Sequence, residues 1–161
     1  MTNNIFSKRS TNEVSMEFYA ISENERLARM FASAFVVDLN PSVDELQDIK
    51  TAVSEAVTNC IVHGYDEKVY IGEEGIVPKI RMYMVLTGRL LTIEIEDFGV
   101  GIEDIEKAKE PLYTTKPEQE RTGMGFVFMD VFMDSLEVYS KVSEGTKIIM
   151  KKYISSGMES K

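Results

Sequence analysis

Basic residues, cysteine and long apolar runs are all scarce in this chain, and each shortage removes a class of function. The 161 residues carry 27 acidic against 18 basic side chains, a net charge of −9 and a pI near 4.7. That balance argues against a nucleic-acid surface, because phosphate backbones are held by clustered Lys and Arg. Cys60 is the single cysteine, so no internal disulfide forms and a reducing cytoplasm is the expected setting. No apolar stretch approaches the roughly 20 residues that cross a bilayer. Met1 to Asn12 is polar and lacks the apolar centre of a signal peptide, so no membrane association is expected. Repeats, low-complexity segments and interdomain linkers are absent as well.

What is present, 43% hydrophobic and 28% charged residues, suffices for one buried core. A single domain over residues 14–153 is expected, between a loose polar arm at 1–13 and a frayed tail at 154–161. Val14, Met16, Phe18 and Ala20 alternate with polar neighbours as a first strand. Ser22-Glu23-Asn24-Glu25 has the form of a capping box for a helix to about Leu39, with Leu27, Met30, Phe31, Ala34 and Phe35 on its buried side. Arg26 and Arg29 fall off that stripe, where the plain reading is a solvated face. Asn40-Pro41 breaks the chain, and Ser42-Val43-Asp44-Glu45 caps a second helix running to about His63. Its stripe is Ile49, Val53, Ala56, Val57 and Cys60, so Cys60 reads as packing rather than as a reactive group.

The residues able to do chemistry lie at the ends of these elements. Glu55 and Asn59 are four apart and share a helix face, where a carboxylate and an amide oxygen could serve a Mg²⁺-phosphate group or stand as ordinary surface polarity. After a surface loop at Asp66 to Val77, Ile80, Met82, Met84 and Leu86 alternate, Thr87-Gly88-Arg89 turns, and Leu91, Ile93 and Ile95 return as a hairpin partner. Asp97 then ends a strand, with Gly99 and Gly101 freeing the backbone behind it. The motif reads either as a turn or as a carboxylate that accepts from an exocyclic amino group such as adenine's. Asp97-Phe98-Gly99 also spells the metal-binding triplet of eukaryotic-type protein kinases, but those need an His-Arg-Asp loop, and His63, the lone histidine, precedes Gly64-Tyr65. Ile102 to Lys109 reads as a short helix or turn. Pro111 to Thr122 has no period and resembles a mobile loop over a ligand. Thr122-Gly123-Met124-Gly125 opens a helix from Phe126 to Met133, whose amides could meet a phosphate. Two strands close the chain, the last starting at Gly145-Thr146 with Ile148 and Met150 inward.

Taken in order, Glu55-x-x-x-Asn59, Asp97-x-Gly99-x-Gly101, the Thr114-Thr115-Lys116 loop and Gly123-Met124-Gly125 resemble the Bergerat-fold ATPases and kinases, the group of gyrase, Hsp90, MutL and histidine kinases. The resemblance runs from Val14 to Lys152. Ser22 to Glu25, Val53 to Asn59 with His63-Gly64-Tyr65, and Thr114 to Phe126 carry it toward the small anti-sigma serine kinases of spore-forming bacteria. It implies an α+β fold, a two-layer sandwich of a mixed, mostly antiparallel sheet covered on one face by helices.

The same resemblance implies ATP or ADP and Mg²⁺ as cofactors and a transferase that phosphorylates a serine of a STAS-type anti-anti-sigma factor. Glu55 would be the general base and Asn59 the Mg²⁺ ligand. Asp97 would bind the adenine amino group, with Thr146 near it through a shared water. Gly99 and Gly101 would let the base lie against the backbone. Gly123 and Gly125 would bring amides onto the phosphates, Thr115, Lys116 and Met124 would bind the nucleotide as well, and Arg121 would approach the γ-phosphate from the lid. Arg29 would contact protein partners, among them a sigma factor of the sigma-F type. A homodimer pairing through the first strand and helix is implied too. The loop at 66–77 and the Lys8-Arg9 arm depart from the family pattern. Alternatives are the stress-response anti-sigma-B kinase, a nucleotide-gated sigma-binding module without kinase activity, and a histidine-kinase catalytic domain, which lacks its dimerisation helix here.

Overall fold

Alternation of apolar and polar residues builds the sheet. The computed structural model describes residues 11–65, 78–114 and 123–155. Its strands are β1 (Thr11–Tyr19), β2 (Lys79–Thr87), β3 (Leu90–Asp97), β4 (Ser135–Lys141) and β5 (Gly145–Tyr153), in the order β1-β2-β3-β5-β4. Every pairing is antiparallel, the limiting form of the mixed, mostly antiparallel sheet expected. Ile80, Met82, Met84, Leu91, Ile93, Ile95, Ile148 and Met150 point to one face and are buried. The other face is open and carries a ladder of ion pairs, Glu17–Arg81 at 3.8 Å, Arg81–Glu96 at 3.4 Å and Glu96–Lys147 at 3.4 Å. Exposed pairs of this kind add little stability but keep the surface wet.

Helices α1 (Ser22–Val36), α2 (Val43–Asn59) and α4 (Gly125–Phe132) cover the apolar face, with a short α3 (Ile105–Ala108) beside the β3 end. The capping box at Ser42 and Glu45 forms in both directions, and the expected α2 stripe is buried throughout. The box expected at Ser22 does not form, because Ile21 occupies the extended capping position and Ser22 is already helical. Glu25 instead lies 2.8 Å from Arg29 as an ion pair one turn on. The buried side of α1 is also rotated from expectation. Ala28, Ala32 and Val36 are buried, Phe31 and Phe35 are half-buried, and Leu27 and Met30 are 52% and 59% exposed. Small side chains let α1 sit close to α2, and a helix with two apolar sides and one neighbour leaves the other side outward.

The ends of the domain differ from expectation by a few residues. Residues 11–13, expected in the arm, pair with 85–87 in β1 and β2. Ile154, expected in the tail, is buried, and its carbonyl accepts from Arg89 Nε at 2.6 Å, while Arg89 Nη2 donates to Leu39 and Ser155 carbonyls. Lys152 fastens β5 to two helices, donating to Asp48 Oδ2 at 3.0 Å and to the Phe132 carbonyl at 2.7 Å. No described helix is long and apolar enough to cross a membrane.

Candidate functional site

The C-terminal end of α2 does not stop cleanly. Beyond Asn59 the helix widens into a π turn over Cys60–Gly64, closed by the Tyr65 amide on the Cys60 carbonyl at 3.0 Å. Such turns are costly and concentrate at functional sites. This one presses Cys60 and Gly64 against the end of β3, where Asp97 stands opposite Thr146. Asp97 is 3% exposed. Its Oδ1 accepts from the Gly99 amide at 3.0 Å. Burial pushes its carboxyl above the ordinary range, and the Gly99 amide, with the Cys60 thiol and the Thr146 amide nearby, pulls it part of the way back. Burial and the neighbouring carboxylate raise the Cys60 thiol, which therefore stays protonated.

Space around Asp97 is closed by absent side chains. A Cβ on Gly64 would lie 2.8 Å from Asp97 Cγ, one on Gly99 would lie 1.9 Å from the Gly64 carbonyl oxygen, and one on Gly145 would lie 2.1 Å from the Asp97 carbonyl oxygen. Gly101 has a φ of +73° and would strike the Lys141 carbonyl at 2.1 Å, so the turn after Asp97 can be made there only without a side chain. Tyr65 ties the same turn down. Its hydroxyl accepts from the Phe98 amide at 2.7 Å and donates to the Lys79 carbonyl at 2.6 Å, and burial holds its pKa up so that it keeps that proton.

A second group of candidate residues lies where α2 faces α4. Glu55 and Asn59 converge on Gly125, since a Cβ there would be 3.2 Å from both Glu55 Oε2 and Asn59 Oδ1. Gly125 is the first residue of α4, and Met124 at the capping position supplies no side-chain cap. Gly123, at φ +63°, accepts at its carbonyl from the Leu112 amide at 2.9 Å. The described residues thus bring Glu55, Asn59 and Gly125 together at one end and Asp97, Gly99, Gly101 and Thr146 at the other. Arg29 lies apart from both, on α1. Thr115, Lys116 and Arg121, with the 66–77 loop and the Lys8-Arg9 arm, lie outside the described residues.

Several members of the site were not singled out from sequence. Cys60 packs in the core as expected, yet its thiol also lies close enough to Asp97 to shift its carboxyl. An apolar stripe gives no sign of such a contact. Tyr65 and Gly64 were visible as a motif without a role. Ser140 and Gly145 gave only the hint that a glycine opens the strand facing Asp97.

The family model described as a histidine kinase-like ATPase domain matches residues 18–152. The chain is 55% identical over 144 residues to the anti-sigma F factor of Clostridium perfringens (strain SM101 / Type A), covering 88% of this chain and 96% of that protein. It is 52% identical over 145 residues to the anti-sigma F factor of Clostridium kluyveri (strain ATCC 8527 / DSM 555 / NBRC 12016 / NCIMB 10680 / K1), covering 90% and 96%. The catalytic domain of the histidine kinase ThkA superposes with a TM-score of 0.51 at 18% identity, over 88% of this chain and 96% of that one. The RsbU and RsbW domains of a Mycobacterium tuberculosis protein do so at 0.57 and 11%, over 89% of this chain and 32% of that one. At such identities these two structures speak for the fold alone. With more than half the residues shared along nearly the full length of its relatives, the chain belongs to the anti-sigma F factor family and carries its histidine kinase-like ATPase domain.

Proposed function

We propose that the chain is an ATP-dependent protein serine kinase that also holds a sigma factor of the sigma-F type inactive. Its phosphate acceptor is a STAS-type anti-anti-sigma protein, whose phosphorylation leaves the kinase free to bind sigma. The observation that carries this reading is the convergence of Glu55 and Asn59 on Gly125, at a distance from Asp97 that α2 itself sets. Cys60 touches Asp97, Asn59 is its neighbour, and Glu55 lies one turn earlier, about 6 Å down the axis. A base held at Asp97 therefore has its phosphates directed along α2 toward α4.

Asp97 accepts the adenine amino protons, since its ionised carboxylate is an acceptor only. Glu55 takes the proton from the acceptor serine while that oxygen bonds the γ-phosphorus and the bond to the β–γ bridging oxygen breaks, leaving ADP. Asn59 offers a hard amide oxygen. A Mg²⁺ would be held there by that oxygen, a hard ligand of the kind it takes. When bound, it neutralises phosphate charge. By resemblance, Arg121 would approach the γ-phosphate, and Thr115 and Lys116 would contact the nucleotide.

Two surfaces support assembly. β1 is an edge strand, and α1 leaves Leu27 and Met30 outward beside it, which favours a homodimer through the first strand and helix. Arg29, on the same helix and paired to Glu25, is the residue offered to protein partners. The kinase is tested by incubating wild type and Glu55→Ala with labelled ATP and a purified STAS partner. Wild type should label the partner, and the variant should not, while still binding nucleotide and sigma. Transfer by Glu55→Ala removes Glu55 from its role. Tight sigma binding without label from wild type leaves only a nucleotide-gated binding module.

A further inference from the structure

Lys152 is 8% exposed, and its ammonium group donates to Asp48 Oδ2 at 3.0 Å and to the Phe132 carbonyl at 2.7 Å. A cation so deeply buried persists only where its partners hold it. Asp48 lies on α2, and Phe132 is the last residue of α4, where the unpaired carbonyls form the negative end of the helix dipole. One ammonium thus clamps the C-terminal end of α4 to an early turn of α2. An eight-residue helix does not hold its place by its own hydrogen bonds, so the position of α4 depends on such anchors.

Glu55 and Gly125 meet at the other end of the same seam. Glu55 stands seven residues after Asp48 on α2, and Gly125 stands seven residues before Phe132 on α4. Seven residues are about two turns, roughly 10 Å along the axis, and return to nearly the same helix face. Between the two ends lie Ala52 on α2 and Met129 on α4, both fully buried. Such apolar contact sets how close two helices lie, whereas the ammonium fixes a point along them, because its hydrogen bonds are directional. We infer that Lys152 is a positioning residue for the phosphate end: by holding the last carbonyl of α4 to Asp48, it sets where Gly125 and the first amides of α4 stand against Glu55 and Asn59. This rests on the reading of that end as the place where the nucleotide phosphates lie. Neither Asp48 nor Phe132 belongs to the Asp97 end, so binding of the base should not depend on the clamp.

The test compares AMP with AMPPNP and Mg²⁺, by calorimetry well below the melting temperature, in wild type, Lys152→Met and Lys152→Arg. AMP reports on the base end, and AMPPNP adds the phosphate end. Lys152→Met should keep AMP affinity within about threefold and lower AMPPNP affinity about tenfold, through the misplaced amides of α4. Lys152→Arg keeps the charge and the donors and should return AMPPNP affinity to within about threefold of wild type. General loosening of the fold would instead weaken both ligands together. AMPPNP affinity unchanged in Lys152→Met, a parallel fall for AMP, or no recovery in Lys152→Arg overturns the inference. Asn59→Ala separates the two failures: if it binds AMPPNP and Mg²⁺ as wild type does, the phosphate-end reading falls and this inference with it. Should Lys152→Met not fold, Asp48→Ala opens the same clamp from its half-buried side, and the same pair of affinities decides.

Discussion

Replacing Gly64 with alanine perturbs the wall around Asp97 by one methyl group. Gly64 is not in the left-handed region, so its backbone accepts alanine and the effect is steric. The methyl would stand 2.8 Å from Asp97 Cγ and 2.9 Å from both carboxylate oxygens. Ordinary contact needs a retreat of about 0.7 Å. Asp97 retreats only by lengthening its bond to the Gly99 amide. Hydrogen bonds to a charged acceptor contribute about 1.5–3 kcal/mol, so one weakened bond and a misaimed oxygen should reduce ADP affinity by about 2 kcal/mol, roughly thirtyfold. Overpacking should also lower apoprotein stability by about 1–3 kcal/mol, or roughly 2–10 °C in melting temperature. Calorimetric titration with ADP well below that temperature reads the first effect and thermal melting the second. Because the methyl acts through Asp97, adding Gly64→Ala to Asp97→Asn should cost little more. ADP affinity within threefold of wild type, or the full thirtyfold loss on top of Asp97→Asn, would refute the reasoning.

Three further perturbations follow from the geometry. Lys152→Met strips a nearly buried cation from Asp48 and the Phe132 carbonyl and should cost about 1–3 kcal/mol, softened by the part-exposed Asp48; an unchanged denaturant midpoint would contradict it. Acidification should weaken ADP binding at pH values above the ordinary Asp range near 3.9, because burial raises the Asp97 carboxyl; a pH-independent affinity down to about pH 4 would contradict this. The same shift means that the folded chain holds this proton more tightly than the unfolded one, so this group's contribution to apoprotein stability grows as pH falls through that window and is lost as pH rises. Met30→Glu places a charge on the outward side of α1 and, on the proposed pairing through β1 and α1, should turn the dimer expected of the wild type into monomers in sedimentation; a wild-type monomer would contradict the pairing, and a dimer persisting in the variant would remove α1 from the interface.

Period and capping made most of the scaffold legible. The strand alternation at Ile80 to Leu86 and Leu91 to Ile95, and the box at Ser42 and Glu45, are local properties that tertiary packing did not alter. The α1 face was misread because Leu27 and Met30 advertise burial by type, while the α1–α2 contact selects small side chains for close approach. Glu55, Asn59, Asp97 and Gly125 were visible through their spacing and the resemblance. The roles of Cys60, Tyr65 and Ser140 were not, because each acts through a contact with a residue far away in sequence. The Tyr65 hydroxyl bridges β2 and the Phe98 turn, and the Ser140 hydroxyl bridges the Ile102 turn and β5.

A crystal structure with AMPPNP and Mg²⁺ tests the central claim most directly. The adenine amino group should lie within hydrogen-bond distance of Asp97 and the terminal phosphate between Asn59 and the start of α4. A base seated away from Asp97, or phosphates directed away from Glu55 and Asn59, would contradict it.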